Sequence, residues 1–101
     1  ITPLRYINNL AFAYAYSENY EKAIALWNQC LERNPDYLFA HLGLTFTHQL
    51  SGNETKARES ATEVLRLKPD LTVSKLEKGP ATRNIDRKRL ADAFHKAGIP
   101  Q

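Results

Sequence analysis

The chain has 101 residues, 43% of them apolar and 25% charged, with a net charge of +3. That is one domain's length and a folded protein's composition, which excludes a disordered chain. Apolar runs stop well short of the roughly 20 residues a membrane-spanning helix needs, and no basic-then-apolar leader opens the sequence. A single cysteine fits a reducing compartment, and a cytoplasmic protein is expected.

Thr2-Pro3 reads as an N-cap followed by proline at the first helical position. Behind it Leu4, Ile7, Leu10, Ala11 and Tyr14 recur at helical spacing and predict a helix over 3–17. "SEN" makes a short turn whose Asn19 is placed to cap a second helix over 20–33, with Ala23, Ile24, Trp27, Cys30 and Leu31 on its apolar side. "NPD" at Asn34 stops that helix, and Asp36 is expected to cap a third over 37–50. "SGN" repeats the turn, Asn53 caps a fourth helix over 54–67, and "KPD" at Lys68 ends it with Asp70 as the next cap. "LTVSKLEKG" allows about two further helical turns before Gly79-Pro80. A last helix is predicted from Ile85 to Ala97, capped by Asn84, stopped by Gly98 and Pro100, and striped by Ile85, Leu90, Ala93, Phe94 and Ala97.

The middle of this series is written twice. Asn19, Ala23, Leu31, Pro35 and Asp36 return 34 residues later as Asn53, Ala57, Leu65, Pro69 and Asp70. In the same phase Leu10 falls on Leu44, Tyr14 on His48, Trp27 on Ala61 and Cys30 on Val64. A period of this length signals stacked helix pairs. The pattern resembles the tetratricopeptide repeat, whose unit is also about 34 residues long. That family's packing slots become Ile7, Leu10, Ala11, Tyr14, Ala23, Trp27, Cys30 and Pro35 in the first unit. In the second they become His41, Leu44, Thr45, His48, Ala57, Ala61, Val64 and Pro69, which departs from the family by two histidines and an alanine where an aromatic is usual. The resemblance implies an all-α, right-handed helical solenoid. Two helix-turn-helix repeats, 1–36 and 37–70, would precede a decayed third repeat or C-terminal capping helix over 71–101. Ala91 lies 34 residues after Ala57, and a two-unit stack leaves an apolar end that a terminal amphipathic helix can cover.

The ending "RLADAFHKAGIP" resembles the close of tetratricopeptide regions in bacterial class III adenylate/guanylate cyclases and some winged-helix regulators. This implies the C-terminal part of a larger bacterial signalling protein, with any cyclase chemistry upstream. The start at Ile1, without methionine, suits such a fragment.

Residues that could carry chemistry are sparse. A lone Cys30 excludes an internal disulfide, and its place in an apolar stripe predicts a packed thiol. His41 and His48 share one helical face, but no Cys, Asp or Glu stands four residues from either on the C-terminal side, so structural histidines and no metal are expected. There is no G-x-S-x-G and no glycine-rich phosphate loop, and no enzyme or cofactor is expected of this chain alone. Three Lys/Arg face four Asp/Glu up to Leu50, and eleven face seven from Ser51 onward. That basic excess, in Lys75, Lys78, Arg83, Arg87, Lys88, Arg89 and Lys96, is interleaved with Glu77, Asp86 and Asp92 and lacks stacking aromatics. It reads as a solvated face before a nucleic-acid surface.

The family binds in a concave groove lined by each first helix. Carried over, the resemblance implies a groove of Arg5, Asn8, Asn9, Phe12 and Tyr16 from the first unit and Phe39, Leu42, Phe46 and Gln49 from the second. Asn8 and Phe12 stand where the carboxylate-gripping members have lysine and asparagine, so that specificity is not expected. An aromatic, apolar groove suits an amphipathic helix or extended apolar peptide. Equally, the chain's own last helix could lie there, since apolar patches of this size seldom stay bare. The expected function is non-catalytic protein–protein interaction. The alternatives are a dimerisation element joining upstream catalytic domains and, more remotely, nucleic-acid contact through the basic segment.

Overall fold

The computed structural model describes residues 2–77 and 87–101. Its helices are α1 (Leu4–Tyr16), α2 (Tyr20–Arg33), α3 (Leu38–Leu50), α4 (Glu54–Leu67), α5 (Val73–Glu77) and α6 (Arg87–Ala97). No strand occurs among the described residues, and the architecture is an all-α helical-repeat solenoid. The expected Gly79-Pro80 break, the Asn84 cap and the start at Ile85 lie outside the described residues.

The repeat is visible in individual backbone hydrogen bonds. The Asn19 amide donates to Tyr14 O at 2.9 Å, and its counterpart Asn53 to His48 O at 2.8 Å. Asn34 donates to Cys30 O at 2.9 Å and Lys68 to Val64 O at 2.8 Å. Both inter-helix turns pass through the left-handed region at the same place, at Glu18 (φ 64°) and Gly52 (φ 89°). Glycine adopts that conformation freely, whereas a side chain there costs about 1–2 kcal/mol. Glu18→Gly is therefore expected to stabilise the chain by about 0.5–1 kcal/mol, after allowing for the freer unfolded chain. Urea unfolding measures this, and an unchanged or lower midpoint would contradict it.

The caps follow the expected pattern in part. Asn53 Oδ1 accepts from the Lys56 amide at 3.2 Å, but its counterpart Asn19 makes no such bond, and α1 begins after Pro3 without a side-chain cap. Asp36 does not cap α3, whose N-cap position is Tyr37. Its carboxylate instead pairs with Arg66 at 2.8 Å, tying the turn after α2 to the end of α4. Asp70 likewise pairs with Lys75 at 3.3 Å, which holds its carboxyl below the usual range, while Thr72 Oγ1 accepts from the Lys75 amide at α5. An exposed aspartate within reach of a cation has a competing partner that capping does not offer.

Short turns make α1–α2 and α3–α4 antiparallel pairs, and α1 and α2 stack on α3. Ala23 and Ala57, both fully buried, give the close contact that each pair needs. α3 is the central helix: every residue from Ala40 to His48 is buried. Its sequence, "LFAHLGLTFTHQL", is apolar nearly all round, as an enclosed helix must be. Two of the four polar side chains it carries inside are bonded locally, while Thr47 Oγ1 is enclosed without a hydrogen-bond partner among the described residues. Thr45 Oγ1 donates to His41 O at 2.7 Å, and His41 Nε2–H donates to Pro35 O at 2.8 Å.

Trp27, fully buried, wedges between the first pair and α3. Gly43 faces its indole, and a Cβ built there would land on the ring atoms Cε2 and Cζ2. Helix propensity alone favours alanine over glycine by about 1 kcal/mol. Here the sign reverses: Gly43→Ala is expected to destabilise by about 1–3 kcal/mol through overpacking. A thermal melt at or above that of the wild type would contradict this placement.

α6 packs on α3 and α4, and α5 packs on α6. The Val73 amide donates to Pro100 O at 2.7 Å and Ser74 Oγ to Gln101 O at 3.0 Å, so the start of α5 clasps the segment after α6. Leu90, Phe94 and Ala97 are buried by this arrangement.

Candidate functional site

The residues expected to line a groove are divided by α6 into a covered part and an open part. A run of aromatic rings crosses the covered part. Phe12 meets Trp27 edge-on at 4.9 Å between centroids and stacks on Tyr16 at 5.9 Å. Tyr16 lies 5.6 Å from Phe46, and Phe46 lies 6.3 Å from Phe94 of α6. Phe94 thereby supplies the second unit with the ring that Ala61 lacks: Phe12 has Trp27 beside it, and its counterpart Phe46 has Phe94.

This placement corrects three of the groove residues. Phe46 (fully buried) and Leu42 belong to the core because α3 is enclosed from Ala40 to His48, partly by α6. Asn8 is also buried; its Oδ1 accepts from Trp27 Nε1–H at 2.9 Å, the partner that a buried indole requires. Phe12 and Tyr16 are half-buried, and burial pushes the Tyr16 phenol well above its ordinary range, against a partial offset from Arg89. Tyr16 Oη is enclosed without a hydrogen-bond partner among the described residues. Gln49, half-buried, borders a shallow depression with Leu50, Arg89, Asp92, Ala93 and Lys96 between α3 and α6.

The open part lies toward the N-terminal ends of α1 and α3. Arg5 and Phe39 are exposed there, and Phe39 meets Tyr37 edge-on at 5.8 Å. Asn9 is also exposed, but it borders a depression with Tyr6 and Arg5 instead of joining Phe39. Burial raises the Tyr37 phenol, and the nearby Arg5 guanidinium opposes that rise. Sequence periodicity also put Leu10 on the packed stripe, but it is exposed at 38%, beside an exposed Tyr6. The available signal was the i, i+4, i+7 spacing of Tyr6, Leu10 and Ala13.

The remaining candidates for chemistry are enclosed. Cys30 is fully buried, and burial pushes its thiol above the ordinary value, which disfavours the reactive thiolate. Among the described residues no group of three or more His, Cys, Asp or Glu could hold a metal ion. His41 and His48 are buried in α3. Burial lowers the His48 pKa, Lys56 lowers it further, and Glu59 partly opposes. The fold thus prefers neutral His48, whereas the unfolded chain binds a proton as pH falls through about 6.5. His48 is therefore expected to leave stability unchanged above that pH and to erode it below. Melts from about pH 8 to pH 5 should fall more steeply below 6.5 for the wild type than for His48→Gln. Parallel curves would contradict the assignment.

Among the described residues no helix is long and apolar enough to cross a membrane. Residues 5–37, which span α1, α2 and the turn into α3, match the family model described as "Tetratricopeptide repeat". No curated protein matches the chain.

Proposed function

From the repeat matched over residues 5–37 and the helix pair that follows it in the same 34-residue phase, we propose that this chain is a tetratricopeptide-type module. Its work is non-catalytic protein–protein interaction, which is what such repeats generally mediate. In this reading residues 1–36 and 37–70 are two repeats, and 71–101 is a shortened third unit that caps them. The observation that carries it is the seat of α6 on α3. An amphipathic helix already lies against the aromatic face built by the first helices, with Phe94 at Phe46. A surface that accepts one such helix has the chemistry to accept another. Its open end, with Arg5 and Phe39, offers a partner a first contact. The ending "RLADAFHKAGIP" supports a finer reading, the C-terminal part of a larger bacterial signalling protein such as an adenylate or guanylate cyclase.

The test uses a fluorescent peptide carrying residues 87–101 of the chain itself. Wild-type protein, whose own α6 competes, should bind it at least about tenfold more weakly than a folded Phe94→Leu variant, in which that competition is relaxed. Adding Phe46→Ala to that variant should remove the binding. If neither protein raises the peptide's anisotropy, the α3 face is a packing surface alone and the reading falls.

A further inference from the structure

The two units differ in one stripe. On α3, Ala40, Gly43, Leu44 and Thr47 are all buried where α1 and α2 stack on it, and Gly43 lies against Trp27 of α2. Thirty-four residues earlier the same positions on α1 are Tyr6, Asn9, Leu10 and Ala13, and all four are exposed. Tyr6, at 62%, and Leu10, at 38%, are two of the three exposed large hydrophobics among the described residues. Scattered apolar residues on a surface need no explanation. A stripe spaced i, i+4, i+7, at positions that form an interface in the next unit, has one within the molecule.

We propose that this face of α1 is a docking surface for the second helix of another helix pair of the same kind, stacked on α1 as α2 is stacked on α3. Asn9 sets a condition on the occupant. Gly43 leaves room for the Trp27 indole, whereas Asn9 places a side chain at the equivalent point. The incoming helix therefore carries a small residue where α2 carries Trp27. α4 is a helix of that type, with Ala61 at the corresponding position. A second copy of the chain does not fit head to tail. Its α2 already has α3 stacked on it, and α6 packs on its α4.

The experiment extends the full chain at its N-terminal side. One fusion joins a copy of residues 37–70, the unit with Ala61, directly ahead of Pro3 in the 34-residue phase. Its thermal transition should be single and at least about 5 °C above that of the unextended chain. Leu10→Glu or Tyr6→Ser in the host unit should abolish that gain while leaving the unextended chain's melt nearly unchanged. A second fusion joins a copy of residues 3–36, the unit with Trp27, at the same place. It should gain nothing until Asn9 of the host unit is changed to glycine. No rise in the first fusion, or a rise indifferent to both substitutions, overturns the proposal. Light scattering of the unextended chain supplies another refutation: a dimer dissolved by Leu10→Glu would assign the face to a second copy.

Discussion

Replacing Trp27 with alanine lowers the unfolding free energy by about 3–5 kcal/mol, the cost of emptying a large buried aromatic site. Three features place it at the high end. The side chain is fully buried, its ring meets Phe12 at 4.9 Å, and its Nε1–H satisfies Asn8 Oδ1 at 2.9 Å. Truncation leaves a cavity against Gly43, which has no side chain to collapse into it, and strands a buried amide oxygen. Trp27→Phe separates the two effects: it keeps a ring and loses the hydrogen bond, so about 1–3 kcal/mol is expected from the unsatisfied Asn8. Asn8→Leu combined with Trp27→Phe should recover part of that loss. Domains of this size carry about 5–15 kcal/mol in total, so Trp27→Ala leaves a marginal fold. Urea unfolding followed by circular dichroism measures it, and a Trp27→Ala protein melting within a degree or two of wild type would refute the placement.

Phe94→Ala is the second large effect, also about 3–5 kcal/mol. Phe94 is buried and stands beside Phe46, whose own unit carries Ala61 in place of an aromatic. The loss should differ in character from that of Trp27. α6 is held by α3, α4 and α5, so weakening it releases that helix ahead of the helix pairs. Hydrogen exchange should accelerate first in α6 and then along α3, and a hydrophobic dye should bind the bared Phe46 face. Faster exchange in α1 and α2 with α6 protected would show that α6 is not the retaining element.

Much of this architecture was legible in the sequence because local signals and the repeat agreed. Helices α1 to α4 fall within about two residues of their expected ends, since the turn residues recur in phase with the apolar stripes. The helix faces were less legible. Leu10 and Leu44 occupy the same slot of the same pattern, yet one is exposed and the other buried, because burial depends on the neighbouring unit. Asn8 reads as a surface amide until an indole N–H is placed beside it. Phe46 reads as a groove aromatic until α6, contributed by residues far along the chain, is laid over it. Asp36 has the position of a cap, but its partner Arg66 lies 30 residues away. In each case the deciding contact is distant in sequence, where periodicity carries no information.

The enclosure of α3 also has a consequence in time. Helix pairs made from neighbouring segments form quickly, because little loop entropy opposes them. The first three helices and their partner α4 can therefore assemble while the ribosome is still adding residues. The face that α6 covers must wait for Ala97, 47 residues beyond Leu50. At synthesis rates of about 5–20 residues per second, Phe46 spends roughly 2–10 s without its final cover. During that interval the nascent chain leaves bare the aromatic surface that the finished molecule keeps beneath α6.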